Sequence, residues 1–166
     1  MNIKKILRYI LIILIIINCI TIFNFSSERS EKSEKSSGKV VNTIIEINPK
    51  TKNLNYKEKE KAKENIVKPV RKTAHFTIYT SLGILIFLCT NTFEISNKKR
   101  TLISIILAFI YACSDEIHQL YVPGRTGQFK DVCIDTSGAI FGICLAYFIL
   151  KVISCHIEKN KSWLEK

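Results

Sequence analysis

The chain has 166 residues, of which 47% are hydrophobic and 23% charged, and its formal net charge is +11. This length suits one domain rather than two. Apolar runs of about 20 residues alternate with lysine-rich stretches, which is typical of a membrane protein and argues against a soluble domain. The basic residues lie between these runs without aromatic interleaving, so we expect membrane lipids as partners and no nucleic acid. The six cysteines occur singly, which favours packing over disulfides or metal ligation.

The first apolar run extends from about residue 6 to residue 25 and follows Lys4, Lys5 and Arg8. A secretory signal peptide begins in the same way, with basic residues before an apolar segment. This run, however, continues past residue 20 and is not followed by a small-residue cleavage site. We therefore predict an uncleaved N-terminal transmembrane anchor over residues 1–25.

Residues 26–72 are predicted to form a charged connection. Residues 26–38 are rich in serine, glutamate and lysine, so we expect them to be solvated. Residues 40–47 alternate weakly between apolar and polar side chains, which predicts a short strand or a segment resting on the surface. Residues 57–64 have helical propensity and several Glu–Lys pairs, and they are expected to form a frayed helix that leads to Pro69.

Three further apolar runs cover residues 73–93, 101–120 and about 131–153. Lys98, Lys99 and Arg100 separate the first two runs, and a turn region with Pro123 and Gly124 separates the last two. Together with the anchor, these runs predict an all-α integral membrane bundle of four transmembrane helices, because helices satisfy their backbone hydrogen bonds internally in lipid. Residues 73–153 would be its three-helix core, and residues 154–166 a basic cytoplasmic tail.

The charge distribution leaves the orientation of this bundle open. With a cytoplasmic N-terminus, 10 Lys and Arg residues lie inside and 15 outside, 13 of these in residues 26–72. That count opposes the rule that cytoplasmic loops carry the basic residues. The connection, however, also carries seven glutamates and is near the length at which the rule weakens. The three short basic flanks, which are the N-terminal cluster, the turn at residues 98–100 and the C-terminal tail, all lie on one side of the predicted bundle. We therefore favour cytoplasmic termini and an extracytoplasmic connection.

Polar side chains gather at three predicted helix ends: the start of the second, the end of the third and the start of the fourth. At each end most of them recur every three or four residues on one helix face, while Glu116 lies beside the face of Asp115 and Arg125 lies in the turn between the third and fourth helices. Connectivity places all three ends on the same side of the membrane in either orientation. We call this group the charged layer and predict that it binds a ligand. Its nine residues are Arg71, His75, Tyr79, Asp115, Glu116, Gln119, Arg125, Asp131 and Asp135.

Carboxylates near the hydrocarbon should turn inward and find partners. The expected pairs are Asp115 with Arg125 or Arg71, and Asp131 or Asp135 with His75. Such a layer of ion pairs can also serve only to fix helix register. The occurrence of polar residues at the ends of three helices nevertheless favours a recognition or reaction site. The Gly138 and Gly142 pair has the spacing of close helix packing in membranes.

Four motifs follow one another from the first predicted helix to the fourth. They are Phe25-Ser26-Ser27, Arg71-Lys72-x-x-His75 with Tyr79-x-x-Leu82-Gly83, Asp115-Glu116-x-x-Gln119 with Pro123-Gly124-Arg125, and Asp131 with Gly138 and Gly142. In this order they resemble the VanZ-like family, whose namesake is linked to resistance to teicoplanin, a glycopeptide antibiotic. The resemblance implies a bacterial four-span membrane protein with a link to glycopeptide resistance. The chain departs from the family pattern at two positions. It has Asp135 where asparagine is expected, and it has Glu28 where a glutamine often follows the two serines.

Three functions suit these features. The first is a non-enzymatic protein of the cell envelope and cell membrane that binds a lipid headgroup, cell-wall precursor or glycopeptide at the charged layer. The second is an interfacial hydrolase or transferase that uses Asp115, Glu116 and His75 for acid–base chemistry.

A metal bound by His75, His118 and the carboxylates belongs to this second hypothesis. No HExxH spacing is present, however, so we predict no metal and no cofactor. The third function, proton or ion transport, is disfavoured because the opposite halves of the last three spans are almost wholly apolar.

Overall fold

The computed structural model describes residues 3–27, 30–125 and 127–164, and the regular structure in these residues is entirely helical. The helices are α1 (Ile3–Ser27), α2 (Ser30–Ile47), α3 (Pro49–Lys52), α4 (Tyr56–Thr90), α5 (Asn97–Gln119) and α6 (Phe129–Leu164). By length and composition, α1, α4, α5 and α6 can cross a membrane. The predicted all-α bundle of four transmembrane helices is therefore confirmed. Glu28, the ends of the predicted anchor and tail, and the side chains of residues 28–37 lie outside the described part.

The second membrane helix, α4, begins well before the predicted span. Asn55 and Glu58 form a capping box, in which the Asn55 side chain accepts from the Glu58 amide at 3.0 Å and Glu58 accepts from the Asn55 amide at 3.2 Å. Pro69 lies inside the helix without ending it. At about 1.5 Å per residue, α4 is roughly 50 Å long, and it exceeds the hydrocarbon thickness of about 30 Å. Its charged first turns are therefore expected to extend beyond the hydrocarbon.

The described part of the segment between α1 and α4 contains helices α2 and α3, and the strand considered for residues 40–47 is wrong. Val41 and Ile45 are both buried in α2, which packs against α4. Their spacing of four residues is that of a helix face, and it outweighs the weak alternation of the surrounding residues. The expectation that residues 26–38 are solvated is also wrong for Ser26, which is fully buried in the last turn of α1.

Helices α4 and α6 pack with their backbones in close approach. A Cβ atom added to Gly142 would lie 2.1 Å from the Thr80 carbonyl oxygen, and one added to Gly83 would lie 2.1 Å from that of Ala139. The Thr80 hydroxyl also donates to the Gly138 carbonyl at 3.1 Å. The close packing predicted for Gly138 and Gly142 is thus confirmed, and it brings the start of α6 against the middle of α4.

Helix α1 packs against α4 and α5 and contributes to the core. Ile22 is fully buried in the main hydrophobic cluster, and the Tyr111 hydroxyl donates to the Cys19 carbonyl at 2.7 Å. At the other end of α1, the Arg8 guanidinium donates twice to Thr92 at 2.9 Å and stacks on Phe93. These contacts fix α1 along its length, so that its last turn lies beside the end of α5.

Candidate functional site

A small cavity lies where α4, α5 and α6 meet. Its volume is about 20 Å³, which is room for one water molecule or one ion. It is lined by Arg71, Lys72, His75, Gln119, Arg125, Asp131, Ile134 and Asp135. Six of the nine residues of the charged layer therefore line one space, and Tyr79, Asp115 and Glu116 are buried beside it.

Asp115 is 4% exposed and accepts hydrogen bonds from two neutral side chains. The Ser26 hydroxyl donates to Asp115 Oδ2 at 2.8 Å, and the Gln119 amide donates to the same oxygen at 3.3 Å. The same Gln119 nitrogen donates to Glu116 Oε2 at 3.2 Å, so that one amide joins both carboxylates. Ser26 is not among the nine predicted residues, and only its place in the Phe25-Ser26-Ser27 motif pointed to it.

Arg125 holds the turn against two helix ends. Its guanidinium donates to the Gln119 side-chain oxygen at 3.2 Å and to the Phe25 carbonyl at 2.9 Å. The second bond satisfies a carbonyl in the last turn of α1, a position at which helix carbonyls lack partners within the helix. Within the described residues, Asp115 forms no ion pair with Arg125 or Arg71, because Gln119 lies between the carboxylate and the Arg125 guanidinium.

Glu116 connects the end of α5 to the start of α6. Its Oε1 accepts from the Gln128 backbone amide at 2.5 Å, and its Oε2 accepts from Gln119. A carboxylate is favourable at this position because the first backbone amides of a helix lack intrahelical partners. With both oxygens engaged, Glu116 mainly fixes the turn. Sequence patterns did not reveal Gln128, because its contact uses a backbone atom.

Two contacts join α4 to α6 across the cavity. Lys72 and Asp131 form an ion pair at 2.5 Å, and both side chains are partly exposed. His75 Nδ1 lies 3.8 Å from Asp135 Oδ2, and Asp135 is 2% exposed. The structure thus pairs His75 with Asp135, as one of the two expected alternatives. Asp131 instead forms its ion pair with Lys72, which belongs to the same sequence motif as His75 but is not one of the nine predicted residues.

Comparison with known proteins now identifies the family. Residues 10–151 match VanZ/LLP1. The chain belongs to the VanZ/LLP1 family. No curated protein and no solved structure gives a significant match to the chain. The matched region contains all nine residues of the charged layer, and with four candidate spans the chain is a multi-pass membrane protein.

Arg71 differs from the other two basic residues that line the cavity of this VanZ/LLP1 protein, Lys72 and Arg125. It is partly buried and lines the cavity. Lys72 is paired with Asp131, and Arg125 is bound to Gln119 and Phe25. Arg71, by contrast, makes no hydrogen bond or ion pair with any residue of the described ranges. Its guanidinium therefore has unused donor capacity at the wall of the cavity.

Two of the three histidines of the VanZ/LLP1 chain, His75 and His118, lie in different environments. The His118 ring stacks on Phe23 with 4.3 Å between centroids, and its Nε2 lies 3.0 Å from the Ser27 hydroxyl. The structure therefore does not bring His118 together with His75, as the metal set weighed from the sequence required. A different group comes together instead. Ligand atoms of His75, Asp115 and Asp135 all lie within 4.8 Å of one another.

Proposed function

We propose that this protein binds the phosphate of a lipid headgroup at the charged layer, on the extracytoplasmic face of the bacterial cell membrane. The observation that carries the proposal is the Arg71 guanidinium, which lines the cavity without a protein partner among the described residues. A partly buried cation without a counter-ion is unfavourable. A phosphate offers this guanidinium two parallel charge-assisted hydrogen bonds, which is the geometry that arginine favours.

The position of Arg71 in the fold suits a headgroup. Its motif lies where α4, after several turns outside the hydrocarbon, reaches the apolar run that begins near residue 73. Lys72 and Arg125 line the same cavity and add positive charge around the expected phosphate. Lipid phosphates lie at this level of a bilayer, between the hydrocarbon and the water. The ligand would thus reach Arg71 laterally from the lipid or from the aqueous side.

The size of the cavity limits what can enter it. A volume of about 20 Å³ admits one phosphate oxygen or one water molecule, and not a sugar or a peptide. A lipid-linked cell-wall precursor would therefore bind through its phosphate groups, with its sugars outside the protein. A glycopeptide would contact only the rim of the cavity. We propose that any link to glycopeptide resistance arises through such a precursor.

Binding of defined lipids to the purified protein tests this proposal. Native mass spectrometry would compare retention of phosphatidylglycerol with that of diacylglycerol, which has the same tails and no phosphate. We expect phosphatidylglycerol to be retained and Arg71→Ala to weaken its binding at least tenfold, because the substitution removes both charge-assisted hydrogen bonds and the loss of one alone would account for about tenfold. Lys68→Ala is the matched control, because it removes an exposed cation three residues earlier on α4.

Two outcomes contradict the proposal: equal retention of both lipids by the wild type, or equal weakening by Arg71→Ala and Lys68→Ala. A polyprenyl diphosphate and teicoplanin serve as further probes. Tighter binding of the diphosphate than of phosphatidylglycerol would assign the site to cell-wall precursors. Arg71-dependent binding of teicoplanin alone would assign it to the antibiotic and contradict a phosphate site.

The alternative function, an interfacial hydrolase or transferase that uses Asp115, Glu116 and His75, has less support from the geometry. Glu116 has both oxygens engaged, and one oxygen of Asp115 already accepts from Ser26 and Gln119. General acid–base catalysis needs a group that can reach a substrate proton. Only His75, at the wall of the cavity, meets that requirement directly.

A further inference from the structure

We propose that His75, Asp115 and Asp135 bind one divalent transition-metal cation, with Zn²⁺ as the best-suited ion. The three ligands come from three different membrane helices, α4, α5 and α6. The inference rests on contacts inside the layer and does not require that a lipid phosphate binds at Arg71.

The distances between the ligand atoms suit a single ion. Zinc–nitrogen and zinc–oxygen bonds are about 2.0–2.2 Å long, so two ligand atoms of one tetrahedral ion lie about 3.3–3.6 Å apart. The ligand atoms of the three residues already lie within 4.8 Å of one another, so shifts of about 1 Å would close the shell. The 3.8 Å between His75 Nδ1 and Asp135 Oδ2 is too long for a hydrogen bond, but it is close to the separation of two ligands of one ion.

Two buried polar atoms at this place have no hydrogen-bond partner within the described residues. One is Asp115 Oδ1, on a side chain that is 4% exposed. The other is the hydroxyl of Tyr79, which is fully buried and lies close to the Asp115 carboxylate without the geometry of a hydrogen bond. Unpaired buried polar groups are rare because each has lost its hydrogen bonds to water. A cation between the carboxylates would complete the coordination of Asp115, and the Tyr79 hydroxyl would contact the ion or a water bound to it.

The neighbours of Asp115 resemble the outer shell of a metal site. Ser26 and Gln119 both donate to Oδ2, which fixes the carboxylate and leaves Oδ1 directed elsewhere. Metal-binding carboxylates are commonly held in this way by hydrogen bonds from a second set of residues.

The donor set selects the class of ion. Imidazole nitrogen suits Zn²⁺, Cu²⁺, Fe²⁺ and Ni²⁺, whereas carboxylate oxygens alone suit Mg²⁺ and Ca²⁺. One imidazole with two carboxylates therefore favours Zn²⁺ or Mn²⁺ over Mg²⁺. The nearby guanidinium groups, Arg71 and Arg125, limit the net negative charge of the site. They therefore also limit its affinity for weakly binding ions.

Metal analysis and titration of the purified full chain test the inference. The protein would carry an affinity tag without histidine and would be stripped with a chelator before titration calorimetry with Zn²⁺ or Mg²⁺. We expect one Zn²⁺ per chain and no comparable binding of Mg²⁺. His75→Ala and Asp135→Asn should each weaken Zn²⁺ binding at least tenfold. His118→Ala should not, because that ring stacks on Phe23 outside the cluster.

No Zn²⁺ binding by the wild type, or equal weakening by His75→Ala and His118→Ala, would overturn the inference. Circular dichroism would show whether the variants retain their helices. If Asp135→Asn does not fold, pulsed electron paramagnetic resonance of Cu²⁺ bound to the wild type provides a second measurement, because it detects the remote nitrogen of a coordinated imidazole. A spectrum without this nitrogen signal would exclude His75 and overturn the site.

Discussion

Asp115 is a buried carboxylate held by neutral donors from two helices. Ser26 contributes from α1 and Gln119 from its own helix, and both bond to Oδ2. Neutral donors stabilise a carboxylate without bringing a second charge out of water. The Ser26 contact also joins the last turn of α1 to the end of α5, so the first span helps to build the layer. This contact makes a single hydroxyl important for stability.

Ser26→Ala should lower the free energy of unfolding by about 1–3 kcal/mol, because it removes a buried hydrogen bond to a charged group. Denaturation in detergent, followed by circular dichroism, would measure the change. Ser114→Ala is the matched control, since that hydroxyl is exposed and donates only to the Tyr111 carbonyl of its own helix. Equal effects of the two substitutions would show that the Ser26 contact contributes nothing specific.

The faces of the site residues could be predicted from the sequence, but most of their partners could not. Helical periodicity placed Arg71 and His75 on one side of α4 and Asp131 and Asp135 on one side of α6. Periodicity does not fix how far two helices are rotated about each other, and this rotation decides which side chains meet. The unpaired state of Arg71 was therefore not predictable. Ser26 was missed because the serine-, glutamate- and lysine-rich residues after it suggested a solvated segment.

At the scale of elements, the contact between α4 and α6 sets the geometry of the site. Gly142 lies against the Thr80 carbonyl, and the same helix pair carries His75 and Asp135 about two turns away. A side chain at Gly142 would push the two backbones apart. The expected consequence is a larger separation between the imidazole and the carboxylate as well as lower stability.

Gly142→Ala should lower the free energy of unfolding by about 1–3 kcal/mol, the usual cost of overpacking. Gly38→Ala is the control, because a Cβ atom there would meet nothing within 4 Å. That change should be neutral or stabilising by up to about 1 kcal/mol, since alanine favours a helix over glycine. Thermal denaturation in detergent would measure both variants. A Gly142→Ala protein as stable as the wild type would contradict the close packing.

The four membrane helices could be predicted from the sequence because a long apolar run has few alternatives to a helix in lipid. The helical structure of the connection before α4 could not be predicted in this way. In α2, which packs against α4, Val41 and Ile45 are buried within a charged segment of low average hydrophobicity. Local alternation over residues 40–47 misled the prediction, because two apolar residues four apart suffice to bury one face of a helix.

At the scale of the whole molecule, four crossings place both termini on one side of the membrane and the charged layer on the other. The orientation of the protein determines which lipids and cell-wall precursors can bind to the charged layer. The charge count does not decide this, since 13 of the 15 basic residues on the layer side lie in residues 26–72. We propose that the layer is extracytoplasmic, because the three short flanks carry basic residues at the opposite face.

The most direct test of a headgroup site on the outer face is cysteine labelling with a membrane-impermeant maleimide. The six native cysteines would be replaced by alanine. Single cysteines would then be introduced at Tyr121, which is 81% exposed in the turn of the layer, and at Ser96, which is exposed at the opposite end. We predict that Tyr121→Cys is labelled in intact bacterial cells and Ser96→Cys only after permeabilisation. The reverse pattern would place the charged layer in the cytoplasm and contradict an extracytoplasmic headgroup site.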